Sequence, residues 1–362
     1  MSAIACPSHA ISLPDALRRW PAALGGRRRL LLHVGLHKTG TTAVQFFLHN
    51  AMDRLFGAGV LYPLAGRSAR VLSGHHNIAW QLAGDTRFDA RYGTVDSLAE
   101  EVARFAGDAV VSSEDFAYVL NTPERLAPLL RHPALRGHDI TLLLTVREQA
   151  SYFEALYFEL LSHGIVVPAA DLCAQVLAEG ALRVNAWTFP FDYALLLSRL
   201  RQAAGVPVAL RTYDVLEGGC SLTDFLAFAG LSRSPAPDEA ERRLNVRAGL
   251  GAMLTRFCGA SLLPLLHEPG LAAMLRGRRA HLSAEARGRM AARFGPGNEA
   301  VAGLAGLPAG TLRIPAGRPP GAFVLERLFG AATHAAILAQ FGTADPAAAA
   351  ADVRAAVAAS LP

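Results

Sequence analysis

The residues whose types and spacing best suit chemistry lie in one short stretch, Gly35-Leu36-His37-Lys38-Thr39-Gly40-Thr41-Thr42. The glycines have the Gly-x4-Gly spacing of a Walker A loop, and Thr42 stands where that motif closes on a hydroxyl. The position that holds lysine in that motif is Thr41, and the lysine has moved into the loop at 38. A turn that runs into a helix N-terminus offers unpaired backbone N–H groups and the positive end of the helix, a combination that suits phosphate or sulfate. Glycine permits the close approach and the φ values that a Cβ blocks. Thr39, Thr41 and Thr42 add hydroxyl donors, and His37 lies beside the lysine. Lys38 is the only lysine, so every other one of the 35 basic residues is an arginine. A compact, mobile ammonium has been kept at the one place where a planar guanidinium fits less readily. Two other readings of the loop stay open. One is an ordinary β-turn-α connection with an incidental lysine. The other is a nucleoside triphosphatase, which needs an acidic metal ligand after a buried strand, a place Glu114-Asp115 can take.

Three further groups of chemically capable residues follow. Arg147 closes the apolar run Ile140–Val146, and Ser151 stands four residues later. One helical turn separates them, so a forked guanidinium can grip a terminal phosphate while the serine hydroxyl takes another oxygen. A surface arginine beside a helix cap is the plainer reading of the pair. Glu114 follows the apolar run Ala109–Val111 and is the leading candidate for a general base. The pair His75-His76, just ahead of Asn77 and Trp80, is the second, because imidazole titrates in the useful range. Of these two, His75 is preferred, since only one of two neighbours easily points inward. A helix N-terminal charge for Glu114, and caps or packing for the histidines, are the structural alternatives. Tyr152, Phe153, Tyr157 and Phe158 read as sheet packing, whereas Trp187 and Phe189–Phe191 line either an acceptor pocket or the core.

The elements that must position these residues read as an α/β fold: a mostly parallel central sheet flanked by helices. Leu30–Val34 is a buried strand that feeds the glycine loop, and Ala43–Leu55 has helical spacing at Val44, Phe47, Leu48, Met52 and Leu55. Val60-Leu61 is a short extended piece, and 71–82 and 95–106 are helices. Strands at Ala109–Val111, Ile140–Val146 and Val208–Leu210 alternate with helices at 124–130, 149–162, 191–204 and 222–228. Apolar strands separated by helices make a parallel sheet covered on both faces, and such sheets bind ligands at the carboxyl ends of their strands. Lys38, Glu114 and Arg147 all stand at those ends. Residues 1–29 are a lead-in, and 30–345 a single α/β domain with its core at 30–230 and a helical remainder at 231–345. Within that remainder, 246–307 reads as short helices broken by glycine, and the Ala-rich stretch 346–362 is a tail.

The 362 residues are 52% hydrophobic and 18% charged, a composition that fills a core and excludes a mainly disordered chain. No apolar run reaches the 18 residues that a transmembrane helix needs, and the N-terminal order of charge and apolar residues is not that of a signal peptide. A soluble, cytoplasmic protein is the expectation. A net charge of +5, spread without a basic block, gives no indication of nucleic acid as a partner. The four cysteines, Cys6, Cys173, Cys220 and Cys258, are widely spaced and read as thiols. No ligand cluster points to a metal.

Leu31–Thr42 resembles the 5′-phosphosulfate loop of the sulfotransferases that use 3′-phosphoadenosine 5′-phosphosulfate, where a lysine precedes Ser/Thr-Gly-Thr-Thr. Val146-Arg147-Glu148-Gln149-Ala150-Ser151 resembles the second cofactor element of that family, a strand-end arginine followed four residues later by a serine. The resemblance covers 28–230 and is to a bacterial-type member. It implies a P-loop-like sulfotransferase fold and transfer of a sulfuryl group to a hydroxyl or amine, with carbohydrate among the candidate acceptors. The product is 3′,5′-adenosine bisphosphate and no metal is needed. It assigns Lys38 and its loop to the phosphosulfate, and Arg147 and Ser151 to the 3′-phosphate. The base is either a glutamate or a histidine in different members. Arg242-Arg243-Leu244-Asn245 resembles the later basic loop that closes over the nucleotide, with Arg243 and Asn245 carried across, although its spacing departs from the family's arginine-lysine-glycine form. An ATP-dependent P-loop kinase-like protein and a non-catalytic nucleotide-binding scaffold are the competing accounts.

Overall fold

Leu30, Leu31, Leu32 and Val34 are all buried, because strand β1 (Arg28–Gly35) lies in the middle of a sheet with neighbours on both sides. A parallel strand covered on both faces has no solvent side, which is why its residues read as a continuous apolar run rather than an alternation. The computed structural model describes residues 26–68, 73–162, 165, 167, 169–185, 187–213, 221–231 and 282–315. Five strands form the sheet: β1, β2 (Val60–Leu61), β3 (Asp108–Ser112), β4 (His138–Val146) and, after a separate hairpin, β7 (Val208–Thr212). Their order is β2-β3-β1-β4-β7, and every pairing is parallel. The chain leaves β1 toward the β2–β3 side and leaves β4 toward β7. The connections therefore diverge between β1 and β4, which is where an open α/β sheet leaves a crevice at its carboxyl edge.

Helix α1 (Thr41–Asn50) lays Val44, Phe47 and Leu48 against Leu31, Val110 and Leu143 of the sheet, together with Leu222, Phe225 and Leu226 of the later helix Ser221–Ala229. Each of these side chains is worth about 1.5–3 kcal/mol on burial, so the glycine loop is anchored at both ends by core. After α2 (Met52–Gly57) comes α3 (His76–Ala83), which begins later than the 71–82 expected from periodicity; 71 and 72 lie outside the described residues. Helix α4 (Val95–Arg104) opens on a reciprocal cap: Ser97 N–H donates to Thr94 Oγ1 at 3.2 Å, and Thr94 N–H to Ser97 Oγ at 2.7 Å. The segment after Pro123 splits into a 3-10 turn and the short α5 (Ala127–Leu130), which packs on α4.

The chain divides into two compact units. Among the described residues the first takes 26–148, 180–231 and 294–313, and the second 149–179, 282–293 and 314–315. The second contains α6 (Gln149–Ser162) and α7 (Ala169–Glu179), where Tyr152, Phe153 and Tyr157 are buried and Cys173 is a buried thiol. Its Arg287 is 2% exposed and pairs with Glu154 at 2.5 Å.

Three features differ from the sequence reading. Helix α7 was not anticipated. Neither was a two-stranded antiparallel hairpin, β5 (Ala181–Val184) and β6 (Trp187–Pro190), which belongs to the first unit. Its turn begins at Asn185 with φ 52°, a left-handed residue of the kind such hairpins need, but without the glycine that marks one in a sequence. After α8 (Tyr193–Ala204) and α9 (Ser221–Ala229), residues 284–304 form one helix, α10, rather than pieces broken at glycine. Met290, Phe294 and Val301 are buried along one stripe of it, and that tertiary packing overrides the poor propensity of Gly295-Pro296-Gly297. Among the described residues no helix is long and apolar enough to cross a membrane.

Candidate functional site

The loop that leaves β1 keeps β4 for company one residue past the strand: Leu36 N–H donates to Thr145 O at 3.0 Å. It then turns sharply. Thr39 Oγ1 donates to Leu36 O at 2.5 Å, and both Lys38 (φ 61°) and Gly40 (φ 80°) are left-handed. Gly40 is the residue that opens α1, and no side chain caps the helix. The first-turn N–H groups of α1 and the left-handed loop therefore make a concavity of backbone donors, an anion-binding arrangement. The two glycines are there for packing reasons. A Cβ on Gly35 runs into Thr41 Cγ2, and one on Gly40 meets Ser221 Oγ, Ser221 Cβ at 2.7 Å and the Tyr213 ring at 3.2 Å. Thr39 and Thr41 are buried, Thr42 and Lys38 exposed. Beneath the loop, a cavity of about 20 Å³ lined by His33, Thr39, Thr145, Thr212 and Ser221 has room for no more than one water. That cavity is too small for a phosphate or sulfate, and Lys38 is on the exposed part of the loop.

Arg147 follows the last residue of β4, and β4 lies next to β1 in register, with Gly35 opposite Thr145. The two basic elements foreseen in the sequence thus stand at adjacent carboxyl ends. Arg147 is 8% exposed, its carbonyl accepts the Tyr193 hydroxyl at 2.5 Å, and its guanidinium lies 4.7 Å from the centre of the Tyr213 ring. Tyr213 N–H donates to Val146 O at 2.8 Å. The Tyr213 ring, which also closes on Gly40, therefore touches both elements. Nothing in the sequence reading singled it out; its place just past β7 was the available signal. Ser151 stands in the first turn of α6, in the second unit.

A third group gathers around the 3-10 turn Glu114–Val119 that follows β3. Gln45 Nε2 of α1 donates to Glu114 Oε2 at 2.5 Å. His76 Nε2 lies 4.0 Å from the same oxygen, and His76 Nδ1 lies 2.9 Å from Ser113 Oγ and 3.5 Å from Asp115 Oδ2. Asp115 accepts Trp80 Nε1–H at 2.5 Å and lies 3.7 Å from His37 Nε2 in the glycine loop. The loop after α3 is pinned to that helix by Asn77, which bonds Asp89 and Gly93, and it brings Arg87 over the Trp80 ring at 4.8 Å. Burial pushes the Asp115 carboxyl up, but His76, His37 and Arg87 outweigh it and hold it at about 2. Burial likewise disfavours a charged His76, yet Asp115 and Glu114 prevail and its pKa is raised. His37 is flanked by Tyr118 and Phe189, each with its ring centre 5.2 Å away, and Trp187 continues the aromatic row at 6.4 Å from Phe189. The hairpin that carries Phe189 thus joins the loop.

The preference for His75 over His76 does not match this geometry. His75 is fully buried, Ser112 N–H donates to its Nδ1 at 3.2 Å, and its Nε2 bonds Pro63 O at 3.0 Å. Burial, reinforced by Arg67, lowers its pKa to about 3. It is His76 whose ring stands between the two carboxylates. Trp80, Arg87 and Gln45 are not site candidates in the sequence, and Asp115 stands there only with Glu114, as the acidic pair a nucleoside triphosphatase would need. Arg243 and Asn245 lie outside the described residues. Among the described residues no group of three or more His, Cys, Asp or Glu side chains is arranged to hold a metal ion.

No protein-family model matches this chain, and no curated protein does. One solved structure is similar, a sulfotransferase from Alicyclobacillus acidocaldarius. The two share 13% identity with a TM-score of 0.45, over 79% of this chain and 98% of that one.

Proposed function

We propose that this chain is a sulfotransferase that moves a sulfuryl group from 3′-phosphoadenosine 5′-phosphosulfate to a hydroxyl or amine of an acceptor. The observation that carries the reading is the pair of cationic elements, the Lys38 loop and Arg147, at the carboxyl ends of neighbouring strands with Tyr213 against both. One anion holder serves many ligands. Two at adjacent strand ends suit a molecule with an anion at each end of a nucleoside. The donor set fits: a left-handed backbone concavity with an exposed ammonium for one anion, and a planar guanidinium for the other.

When bound, the nucleotide supplies an activated sulfuryl group, whose S–O bond to phosphate breaks as the acceptor oxygen bonds to sulfur. Lys38 places a positive charge over the outer face of the loop, where negative charge grows on the departing phosphate oxygen. The first-turn N–H groups of α1 and Thr42 hold the remaining oxygens. Arg147 takes the 3′-phosphate. Glu114 accepts the proton of the acceptor hydroxyl, with its Oε2 steadied by Gln45. His75 is left a structural role. The aromatic row of Tyr118, Phe189 and Trp187 beside His37 forms one wall for the acceptor.

Calorimetric titration with 3′,5′-adenosine bisphosphate in the presence of a chelator tests this directly. Binding is expected in the intact protein and lost or strongly weakened in Arg147→Ala. ATP binding that requires magnesium, with no affinity for the bisphosphate, would overturn the reading in favour of a kinase-like protein. Bisphosphate binding without release of sulfate from the donor would favour a scaffold.

A further inference from the structure

One carboxylate beside the proposed base has no part in the step above. Glu114 and Asp115 are consecutive at the start of a 3-10 turn, so their side chains diverge: Glu114 toward Gln45, Asp115 inward to 6% exposure. Burying a carboxylate costs several kcal/mol unless partners compensate. Asp115 Oδ2 accepts Trp80 Nε1–H at 2.5 Å and lies 3.5 Å from His76 Nδ1 and 3.8 Å from Arg87 Nη1, while Oδ1 faces His37 Nε2 at 3.7 Å. Arg87 gives its closer ion pair, 2.6 Å, to Asp85. Beyond the Trp80 indole, the groups nearest Asp115 are therefore the two histidines. Ser113 Oγ, which accepts Asp115 N–H at 3.1 Å, lies 2.9 Å from the same His76 nitrogen. Ser113 Oγ and Asp115 Oδ2 thus converge on Nδ1, and the other ring nitrogen, Nε2, lies 4.0 Å from Glu114 Oε2. That Nε2 is buried and has no hydrogen-bond partner.

Resting on the sulfuryl-transfer reading, we propose that Asp115 is a positioning residue: it orients the His76 ring toward Glu114 and draws His37, and with it the lysine-bearing turn, against the 3-10 turn. The groups that face it come from the surrounding elements: His37 from the glycine loop, His76 and Trp80 from α3, Asp85 and Arg87 from the loop after α3, and Ser113 and Glu114 from its own strand end and turn. Through His37 and His76, Asp115 thus links the glycine loop to the surroundings of Glu114. Its negative charge favours the charged form of His76, which in turn sets a cationic ring beside Glu114.

The test uses the full chain and Asp115→Asn, which keeps an acceptor for Trp80. Three quantities are read: the ring titration of His76 by NMR, the release of sulfate from 3′-phosphoadenosine 5′-phosphosulfate with water as acceptor, and affinity for 3′,5′-adenosine bisphosphate. In the unmodified protein His76 titrates above the ordinary imidazole range, and in D115N its titration moves to lower pH. Sulfate release falls about 10- to 100-fold, and D115E recovers part of the loss. An unmoved His76 titration in D115N overturns the proposal, as does a His76 in the unmodified protein that titrates below the ordinary range. If D115N fails to fold, Trp80→Phe replaces it. That variant removes the indole donor and keeps the carboxylate, so His76 must stay raised, and a fall shows that Asp115 merely anchors Trp80. Absence of bisphosphate binding in the unmodified protein would sink the sulfuryl-transfer reading alone, with the His76 titration still deciding the orientation.

Discussion

Lys38 stands in the left-handed region at φ 61°, and this makes its backbone and its ammonium separable by experiment. A residue with a Cβ pays about 1–2 kcal/mol to sit there. Glycine does not, but it gives up about 0.4–1 kcal/mol more chain entropy on folding. Lys38→Gly is therefore expected to exceed Lys38→Ala in stability by about 0.5–1 kcal/mol, since alanine keeps the Cβ and the strain. On the scale of 2–4 °C per kcal/mol for a large domain, that is a Tm gap of about 1–4 °C. Both variants lack the charge over the loop and should lose sulfate release from the donor nucleotide by about 10²–10³-fold, the usual cost of one donor to a developing anion. Thermal denaturation followed by circular dichroism, beside a sulfate-release assay on the same samples, measures both. Equal Tm values for the two variants would refute the strain argument. Activity preserved in either variant would refute the role of Lys38, however the Tm values fall.

The remaining predictions concern what surrounds that loop. Gly40→Ala adds a Cβ against Ser221 and Tyr213 at a left-handed position, so it should destabilise by about 2 kcal/mol or more; Ser221→Gly should restore part of the loss in the double variant, and additive effects would argue against the contact. Tyr213→Ala should weaken 3′,5′-adenosine bisphosphate binding about tenfold or more, because it removes the ring packed on both Gly40 and Arg147, whereas Tyr213→Phe should bind normally. His33 and His75 are fully buried, and burial lowers each to about 3. Between pH 6.5 and 3 only the unfolded chain protonates them, so stability is full above pH 6.5 and falls as the pH drops through that window. Each should cost about 2 kcal/mol between pH 7 and pH 5, visible as a falling urea midpoint, and His33→Gln or His75→Gln should flatten the slope. His76, shifted the other way, contributes its stability below pH 6.5 and loses it as the pH rises, so it adds little slope there.

The central strands were legible because each carries an apolar run, Leu30–Leu32, Ala109–Val111 and Leu142–Leu144, of the kind a strand covered on both faces needs. From them followed the parallel sheet, the glycine loop at the end of β1 and the strand-end places of Glu114 and Arg147. Local chemistry was equally visible in the glycines of the loop, whose missing side chains are demanded by contacts with Thr41, Ser221 and Tyr213. Helix α10 and the β5–β6 hairpin were hidden because long-range burial, rather than local propensity or a glycine turn, holds them.

The identity of the inward-facing histidine was hidden as well. His75 and His76 are equivalent as sequence, and only the approach of β3 to the start of α3 sends one ring into the main chain and the other to Glu114 and Asp115. The same holds for Asp115, Trp80, Arg87 and Tyr213, none of which sits in a motif. The sequence by itself determined the candidate anion loop, because that rests on backbone donors and a few residues close together along the chain. Which carboxylate, histidine and ring surround that place was decided by tertiary structure alone, because those groups come from strands and helices whose neighbourhood depends on packing far apart in sequence.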